Sequence, residues 1–524
     1  MSGALPRVTY SNTGADFTEV FAHLAQCLES AAPPSFHANL VGASEESDGR
    51  SFELRSPIDG RSLGTFVSAS QDVVDRAIRV ARSSFRSWAA LTWQERVAIL
   101  RNVANCFERS KFELAADCIL EVGKSFAESM GEVEESIDLI RYYCDEVEAN
   151  GGYQRSLRRA VPSEETTDVL RPHGVFAVIV PFNFPVALGT GMLAGALLAG
   201  NSVVLKPSPT AGRTGFWLAR LFRQGGVPAE VLNLVCGGDE VGKTLVRHPG
   251  VAGVAFIGSN AVGMDILRTA AAGTYNRPVI VEMGGKNPSY VTASADLDVA
   301  AEGVMRSAFG LQGQKCSSGS KVYVSEAIYS SFVERLLART AKIKIAPPLR
   351  PDVFMGPIIS EAAAERFARA CEEGRRDGRI LAGGNRLKGG AYDAGVYVEP
   401  TIVEGLAAAH RLNKDELFLP FLTVQRFGRL ADAIADGNDI QYGLTAGIYT
   451  NDRSELELFL DQAEAGALYA NRSSGATTGA WPGVQTFCGW KGSGVSGKGG
   501  LGPYYVPQFM REQSRTIMQS KSMR

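Results

Sequence analysis

Between residues 71 and 121 the apolar positions Val74, Ala77, Ile78, Ala81, Phe85 and Trp88, then Val97, Leu100, Val103 and Phe107, recur mostly every three or four residues. That period puts them on one helical face, so the stretch predicts amphipathic helices packed on a sheet. A further helix is predicted over 133–147. Residues 151–172, with Arg158, Arg159, Glu164 and Glu165, are charged and β-compatible, and predict a projecting extended arm. From Val175 short β-rich runs alternate with helical ones, and strands are predicted over 175–180, 202–205, 231–235, 254–257 and 279–282. Repeated βα units imply a mostly parallel sheet covered on both faces. Residues 286–480 again mix helices (296–309, 329–343, 361–374) with strands, which predicts a second α/β domain. Ahead of all this, residues 1–50 hold one short helical pattern (Phe17, Val20, Phe21, Leu24, Leu28), Pro33-Pro34 and Glu45-Glu46, and read as a surface lead-in. The tail from Gly492 is glycine-rich and ends in a basic, helix-capable stretch. No internal repeat is visible.

Length and charge narrow the class. A chain of 524 residues is too long for one ordinary core and suggests two or three domains. Its 45% apolar and 21% charged residues suit a globular protein, and a formal charge of −2 gives no sign of nucleic acid or an anionic membrane as partner. No apolar run reaches the roughly 18 residues of a membrane span, and the N-terminus lacks a secretory pattern. The eight cysteines are scattered without a C-x-x-C pair, and His23 and Cys27 have no second ligand pair, so neither a disulfide framework nor a metal site is expected. A reducing cytoplasmic location is the expectation. None of the five histidines lies within sixty residues of Cys316, which gives a Cys/His hydrolase no local support.

Candidate chemistry concentrates in residues 281–321. Glu282-Met283-Gly284-Gly285-Lys286-Asn287-Pro288 brings a carboxylate out of an apolar run into a glycine turn, and Gly313-Gln314-Lys315-Cys316-Ser317-Ser318 supplies a thiol. A predicted helix over 299–309 can bring the two together, giving a base and a nucleophile for covalent catalysis on a carbonyl. Pro181-Phe182-Asn183-Phe184-Pro185 ends a predicted strand with an amide suited either to an oxyanion or to a helix cap. Lys206 ends the next strand and suits a ribose hydroxyl or a phosphate, or else is a solvated charge. Phe256-Ile257-Gly258-Ser259 opens a helix that could receive a pyrophosphate or be capped by the serine. Parallel sheets hold their ligands at such strand ends.

Three glycine patterns compete. Gly237-Gly238-Asp239-Glu240-Val241-Gly242-Lys243-Thr244 matches the phosphate-loop pattern after a predicted strand, which keeps a nucleotidase as an alternative class. Against it, the strand over 253–257 carries no terminal aspartate for magnesium, and Asp239 and Glu240 would face a triphosphate. Gly492 to Gly497 fits G-x-G-x-x-G but follows a loop, and reads as a turn. Gly189 to Gly195 is one residue too long and reads as a closely packed helix.

Taken together, the stretches 181–185, 204–207, 256–259, 282–288, 313–316, 416–418 and 487–494 closely resemble the aldehyde dehydrogenase superfamily, in its order. The resemblance implies an α/β fold with three parts: a Rossmann-like NAD(P)-binding domain (1–155 and 178–284), an α/β catalytic domain (285–490), and a small β oligomerisation arm with a tail (156–177 and 491–524). It implies that the Cys316 thiolate attacks an aldehyde, that Asn183 and the Cys316 N–H hold the oxyanion, and that Glu282 activates the thiol, helped by Lys315, and then water. NAD or NADP would be held by Lys206, Ser208, Gly242, Gly258, Ser259, Glu416 and Phe418. A homodimer or higher oligomer, a small-molecule aldehyde and no metal are implied as well.

A narrower resemblance, to the Δ1-pyrroline-5-carboxylate dehydrogenases, rests on 307–317, Asn471-Arg472 and Gly483-Val484-Gln485. It implies L-glutamate γ-semialdehyde as substrate, held by Ser317, Gly479, Ala480 and Phe487. Gly475-Ala476 competes for the backbone role, Trp481 can reshape the pocket, and another carboxylate-bearing semialdehyde is the alternative substrate. Departures from the family pattern are Pro209 in place of a ribose-binding glutamate, which with Arg213 opens the way to NADP, Leu419 after Phe418, and Cys488 in a glycine turn. A catalytically silent protein of this fold would have lost Cys316, Glu282 or Asn183, and all three are present.

Overall fold

The computed structural model describes residues 5–10, 12, 15–473 and 480–518. Five apolar strands form the first sheet, in the spatial order Val279–Met283, Gly253–Gly258, Val175–Ile179, Ser202–Lys206 and Leu232–Leu234, all parallel. Helices Ala187–Leu198, Gly212–Gln224, Asp239–Arg247 and Asn260–Ala271 follow its successive strands. Coverage on both faces explains why a strand such as Val-Phe-Ala-Val-Ile is apolar throughout rather than alternating.

Two antiparallel strands, Asn39–Val41 and Ser44–Glu46, extend this sheet, and that corrects the reading of the first fifty residues as a surface lead-in. Asn39 is fully buried, and its side-chain carbonyl accepts from the Cys236 N–H at 2.7 Å. Asn233 likewise accepts from the Gly42 N–H at 2.7 Å, so two asparagines satisfy the backbone where the short edge strands join. Helix Thr18–Glu29 buries Val20 and Leu24 against the same body.

The predicted helical stretch becomes Gln71–Ala90, Trp93–Arg109 and Lys111–Val122, followed by the long helix Phe126–Ala149. Thr92 and Glu95 form a capping box and Ser125 caps the long helix, which fixes where these begin. The largest core lies between this layer and the first sheet, around Leu100, Phe107, Ile119, Ile137 and Phe176.

The second sheet runs Arg379–Ala382, Thr401–Glu404, Phe421–Phe427, Gly319–Ser325, Asn287–Val291, Thr445–Tyr449 and Ala467–Ala470, parallel except for its first pair. The chain leaves the first sheet at Met283 and enters the second at Asn287 through Gly284, Gly285 and Lys286. The two sheets therefore meet at the glycine turn beside Glu282.

A third, antiparallel sheet pairs Gln154–Ser156 with Glu164–Pro172, and Glu164–Pro172 with Met510–Met518 in register over nine residues. The tail is helix-capable, since Met, Arg, Glu and Gln favour helix, but pairing along the whole arm overrides that preference. The phosphate-loop pattern also resolves differently. Lys243 pairs with Glu240 at 2.8 Å and the Thr244 hydroxyl donates to the Glu240 carbonyl at 2.9 Å, so both groups serve the helix they stand on. In the 492–497 turn, Ser493 Oγ donates to the Gly284 carbonyl at 2.8 Å and accepts from the Gly443 N–H at 3.0 Å, which buttresses the turn after Glu282. Gly195 faces the Phe509 ring, which a Cβ would approach to 2.6 Å, the close packing expected of that helix.

Candidate active site

Helix Leu297–Phe309 stops at Gly310, and the next turn carries two non-glycine residues with left-handed backbone, Leu311 (φ 47°) and Gln312 (φ 56°). Such conformations persist only when neighbours impose them. Gln312 donates to the carbonyls of Gly123 at 3.1 Å and Pro357 at 2.7 Å, and Gln314 accepts from the Ile359 N–H at 3.0 Å. On the far side Asn287 donates to the carbonyls of Cys316 at 2.8 Å and Ser318 at 2.9 Å, while its own carbonyl accepts from the Thr445 N–H at 3.0 Å. The loop that bears Cys316 is thus held from both sides by buried amides.

Cys316 opens onto a cavity of about 120 Å³ whose lining includes Glu282, Ser317, Ala480 and Phe487. Burial pushes the Cys316 thiol well above its usual range, and the Glu282 carboxyl, hydrogen-bonded to it, adds to the effect. The Ser317 N–H bonded to the sulfur works in the opposite direction. Burial also raises the Glu282 carboxyl to about 7, only partly offset by the thiol. Glu282 Oε1 is buried and has no hydrogen-bond partner among the described residues. A neutral thiol thus sits against a carboxyl whose pKa is near neutrality, the condition a general base requires. Lys315 was expected to help activate the thiol; it is nearly fully buried and paired with Glu128 at 2.7 Å, while Glu282, Glu416 and the Ser317 N–H act on the sulfur.

Asn183 is buried between Phe184, which lines this cavity, and Phe182, which lines the neighbouring one, and its amide donates to the Gln314 carbonyl at 3.0 Å, two residues before the cysteine. Glu416 accepts from the Gly285 N–H at 2.9 Å, and burial raises its carboxyl to about 7. It lies so close to the turn that a Cβ at Gly284 (φ +34°) would stand 2.2 Å from its Oε2. Phe418, itself left-handed at φ 58°, meets the Phe182 ring edge-on at 5.9 Å.

A second cavity, of about 520 Å³, is lined by Lys206, Ser208, Gly242, Gly258 and Ser259, and meets the Cys316 cavity at Ile257, the residue paired across the sheet with Glu282. Burial lowers Lys206 to about 8, and its ammonium makes a long 3.4 Å bond to the Pro207 carbonyl. A buried, poorly compensated ammonium, two serine hydroxyls and the N-terminus of helix Asn260–Ala271 fit the ribose hydroxyls and pyrophosphate of a dinucleotide. Pro209 lines this cavity too. Arg213 does not: it is buried against Asp117 at 2.7 Å and donates to the Ala32 carbonyl.

At the substrate end Gly479 and the competing Gly475-Ala476 pair lie outside the described residues. Trp481 is anchored to the long helix, its indole N–H donating to Asp138 at 2.8 Å. Cys488 donates to the Gly466 carbonyl at 3.3 Å, and the Leu419 carbonyl is the close neighbour of Gly313. Sequence reasoning missed Glu135 and Tyr10 as parts of the cavity wall. Glu135 is raised to about 8 by burial, and the Tyr10 hydroxyl donates to it at 3.0 Å. A signal was available: Glu128, Glu132 and Glu135 fall on one face of a helix that is buried along most of its length. Among the described residues no group of three or more His, Cys, Asp or Glu could hold a metal ion, and no helix is long and apolar enough to cross a membrane.

Residues 44–514 match the profile described as the aldehyde dehydrogenase family. The chain is 34% identical over 461 residues to a 1-pyrroline-5-carboxylate dehydrogenase of Halalkalibacterium halodurans, covering 87% of each. It is 36% identical to an alpha-ketoglutaric semialdehyde dehydrogenase of Bacillus subtilis, covering 82% of this chain and 88% of that one. A solved Thermus 1-pyrroline-5-carboxylate dehydrogenase with bound NAD superposes with a TM-score of 0.92 at 31% identity, covering 99% of this chain and all of the other.

Proposed function

The chain belongs to the aldehyde dehydrogenase family, and from that premise we propose that it oxidises L-glutamate γ-semialdehyde to glutamate, as in proline catabolism, with NAD or NADP. The observation that carries this reading is a thiol hydrogen-bonded to a near-neutral carboxyl in a cavity that also presents a second buried carboxyl, Glu135.

In this reading Cys316 passes its proton to Glu282 as the sulfur attacks the aldehyde carbon. The oxyanion of the thiohemiacetal lies between the Cys316 N–H and the second hydrogen of the Asn183 amide, the first being held by Gln314. The nicotinamide cofactor, bound by Lys206, Ser208, Gly242, Gly258, Ser259, Glu416 and Phe418, supplies the hydride acceptor. After the thiol's proton has passed from Glu282 to solvent, the carboxylate takes a proton from the water that attacks the Cys316 thioester, and the sulfur leaves as thiolate. Asn287 acts at a distance by holding the Cys316 and Ser318 carbonyls.

For the substrate's far end, Glu135 suits the ammonium, and Ser317 with the Ala480 backbone suits the carboxylate; Phe487 suits the aliphatic chain between. The second reading is a keto acid semialdehyde, the class named for the Bacillus subtilis relative. A buried carboxyl at Glu135 favours the amino acid, since a keto substrate offers it no cation. Pro209 leaves the adenosine end without a carboxylate at that position, so use of both cofactors is expected. The exposed Ile517 and Met518 on the outer strand of the arm support pairing with a second copy, and eight free cysteines suit a cytoplasmic location.

The test is NAD(P)H formation with glutamate, α-ketoglutarate and glutarate semialdehydes and simple alkanals. A kcat/KM highest for glutamate semialdehyde supports the reading; a higher value for the keto acid replaces it with the second.

A further inference from the structure

The family match begins at residue 44, yet the segment before it supplies part of the catalytic cavity. Tyr10 lines that cavity on one side and, on the other, a cavity of about 230 Å³ bounded by Ser125, Glu128, Arg306, Asp352 and Phe354. Tyr10 is therefore part of the partition between them. The ring meets Phe184 and Trp481 edge-on, with centroids at 6.4 and 5.6 Å. The long helix leaves a notch for it at Gly131, where a Cβ would come within 2.9 Å of Tyr10 Cε1. The hydroxyl takes one oxygen of Glu135, donating to Oε2 at 3.0 Å. The segment is tied down next to this contact: Arg7 pairs with Glu134 at 2.8 Å and with Asp138 at 3.0 Å. Asp138 also accepts the Trp481 indole N–H, so the N-terminal segment and the loop bearing Ala480 share one anchor on one helix.

We propose that Tyr10 is a specificity-determining residue: its ring closes the far side of the substrate cavity and limits aldehyde length, and its hydroxyl orients Glu135 toward an amino group on the substrate. The first half follows from the partition alone, whereas the second rests on the glutamate semialdehyde reading. Without the ring the two cavities join, and an alkyl chain can extend into the second with a gain of roughly fourfold in kcat/KM per newly buried methylene. Without the hydroxyl the cavity keeps its shape and only the carboxyl's orientation is lost.

The experiment compares the parent enzyme with Tyr10→Ala and Tyr10→Phe on butanal, octanal, glutarate semialdehyde and glutamate semialdehyde. Tyr10→Ala is expected to raise the octanal-to-butanal ratio of kcat/KM at least tenfold, while Tyr10→Phe leaves that ratio within twofold. Tyr10→Phe is expected to raise KM for glutamate semialdehyde about tenfold at near-parental kcat, and to leave KM for glutarate semialdehyde, which lacks the amine, unchanged. If the alanine variant does not fold, Tyr10→Val carries the length comparison. An octanal-to-butanal ratio within threefold of the parent in the truncated variant overturns the role of the ring. An equal KM change for both semialdehydes in Tyr10→Phe overturns the role of the hydroxyl. A parent enzyme inactive on glutamate semialdehyde refutes the substrate reading and with it the role of the hydroxyl, while the alkanal ratio still decides the role of the ring.

Discussion

Replacing Asn287 by alanine removes three buried hydrogen bonds at once: two to the carbonyls of Cys316 and Ser318, and one from the Thr445 N–H. Each group left buried without a partner costs about 1–3 kcal/mol, so the three together cost between about 3 and 9 kcal/mol before relaxation. Asn287 is almost fully buried, and water entering the space it vacates brings the loss toward the lower end. The loop keeps its anchors at Gln312 and Gln314, so the chain still folds, but the Cys316 peptide loses the contacts that fix it. A shift of about 1 Å in a reacting group is worth on the order of a hundredfold in rate. The assay is kcat for NAD(P)H formation, together with the rate at which iodoacetamide alkylates Cys316 and the dissociation constant for the cofactor. The variant should lose about a hundredfold in kcat with cofactor affinity within twofold, because Lys206 ends a strand of the other sheet and Ser259 caps the helix that follows another of its strands. A kcat within threefold of the parent would refute the idea that Asn287 positions the nucleophile.

Other consequences concern charge and burial. With the Glu282 carboxyl raised to about 7, kcat should climb as pH rises through neutrality and the base ionises; Glu282→Gln should lose that limb and roughly 10²–10⁴ in rate. The folded chain keeps the Glu282 proton above the ordinary value of 4.5, where the unfolded chain releases it, so this group's effect is to lower stability as pH rises toward about 7. Glu282→Gln should therefore gain on the parent by on the order of 3 kcal/mol between pH 5 and 8 in urea unfolding, and a constant difference would refute the assignment. Lys124→Met strands Glu132, since both side chains are fully buried, 2.5 Å apart, and Glu132 also accepts from the Val186 and Ala187 N–H groups that open a helix. A loss of about 3–5 kcal/mol is expected, partly restored by adding Glu132→Gln; a loss under about 1 kcal/mol contradicts the argument.

Much of the site was legible because its chemistry sits where periodicity changes. Glu282, Lys206 and Ser259 end apolar strands or open helices, and Cys316 follows a helix stop, so each could be located from neighbours within ten residues. What was missed depends on partners remote in sequence. Tyr10 and Glu135 meet across 125 residues, and the pairing of Arg213 with Asp117 exists only once two helices pack. The strands at Asn39–Val41 and Ser44–Glu46 are too short to show alternation, and buried asparagines complete their hydrogen bonding. The tail strand is specified by its partner Glu164–Pro172 rather than by its own composition.

The most direct test of the central claim is the Cys316→Ser variant, measured for NAD(P)H formation from L-glutamate γ-semialdehyde beside the parent enzyme. Serine keeps the shape of the cavity and its contact with Glu282 but replaces the thiolate with a far weaker nucleophile. The parent should form NAD(P)H and the variant should fall by roughly 10⁴-fold or more, with cofactor affinity retained. A serine variant within tenfold of the parent, or a parent that forms no NAD(P)H with either cofactor, would contradict the account.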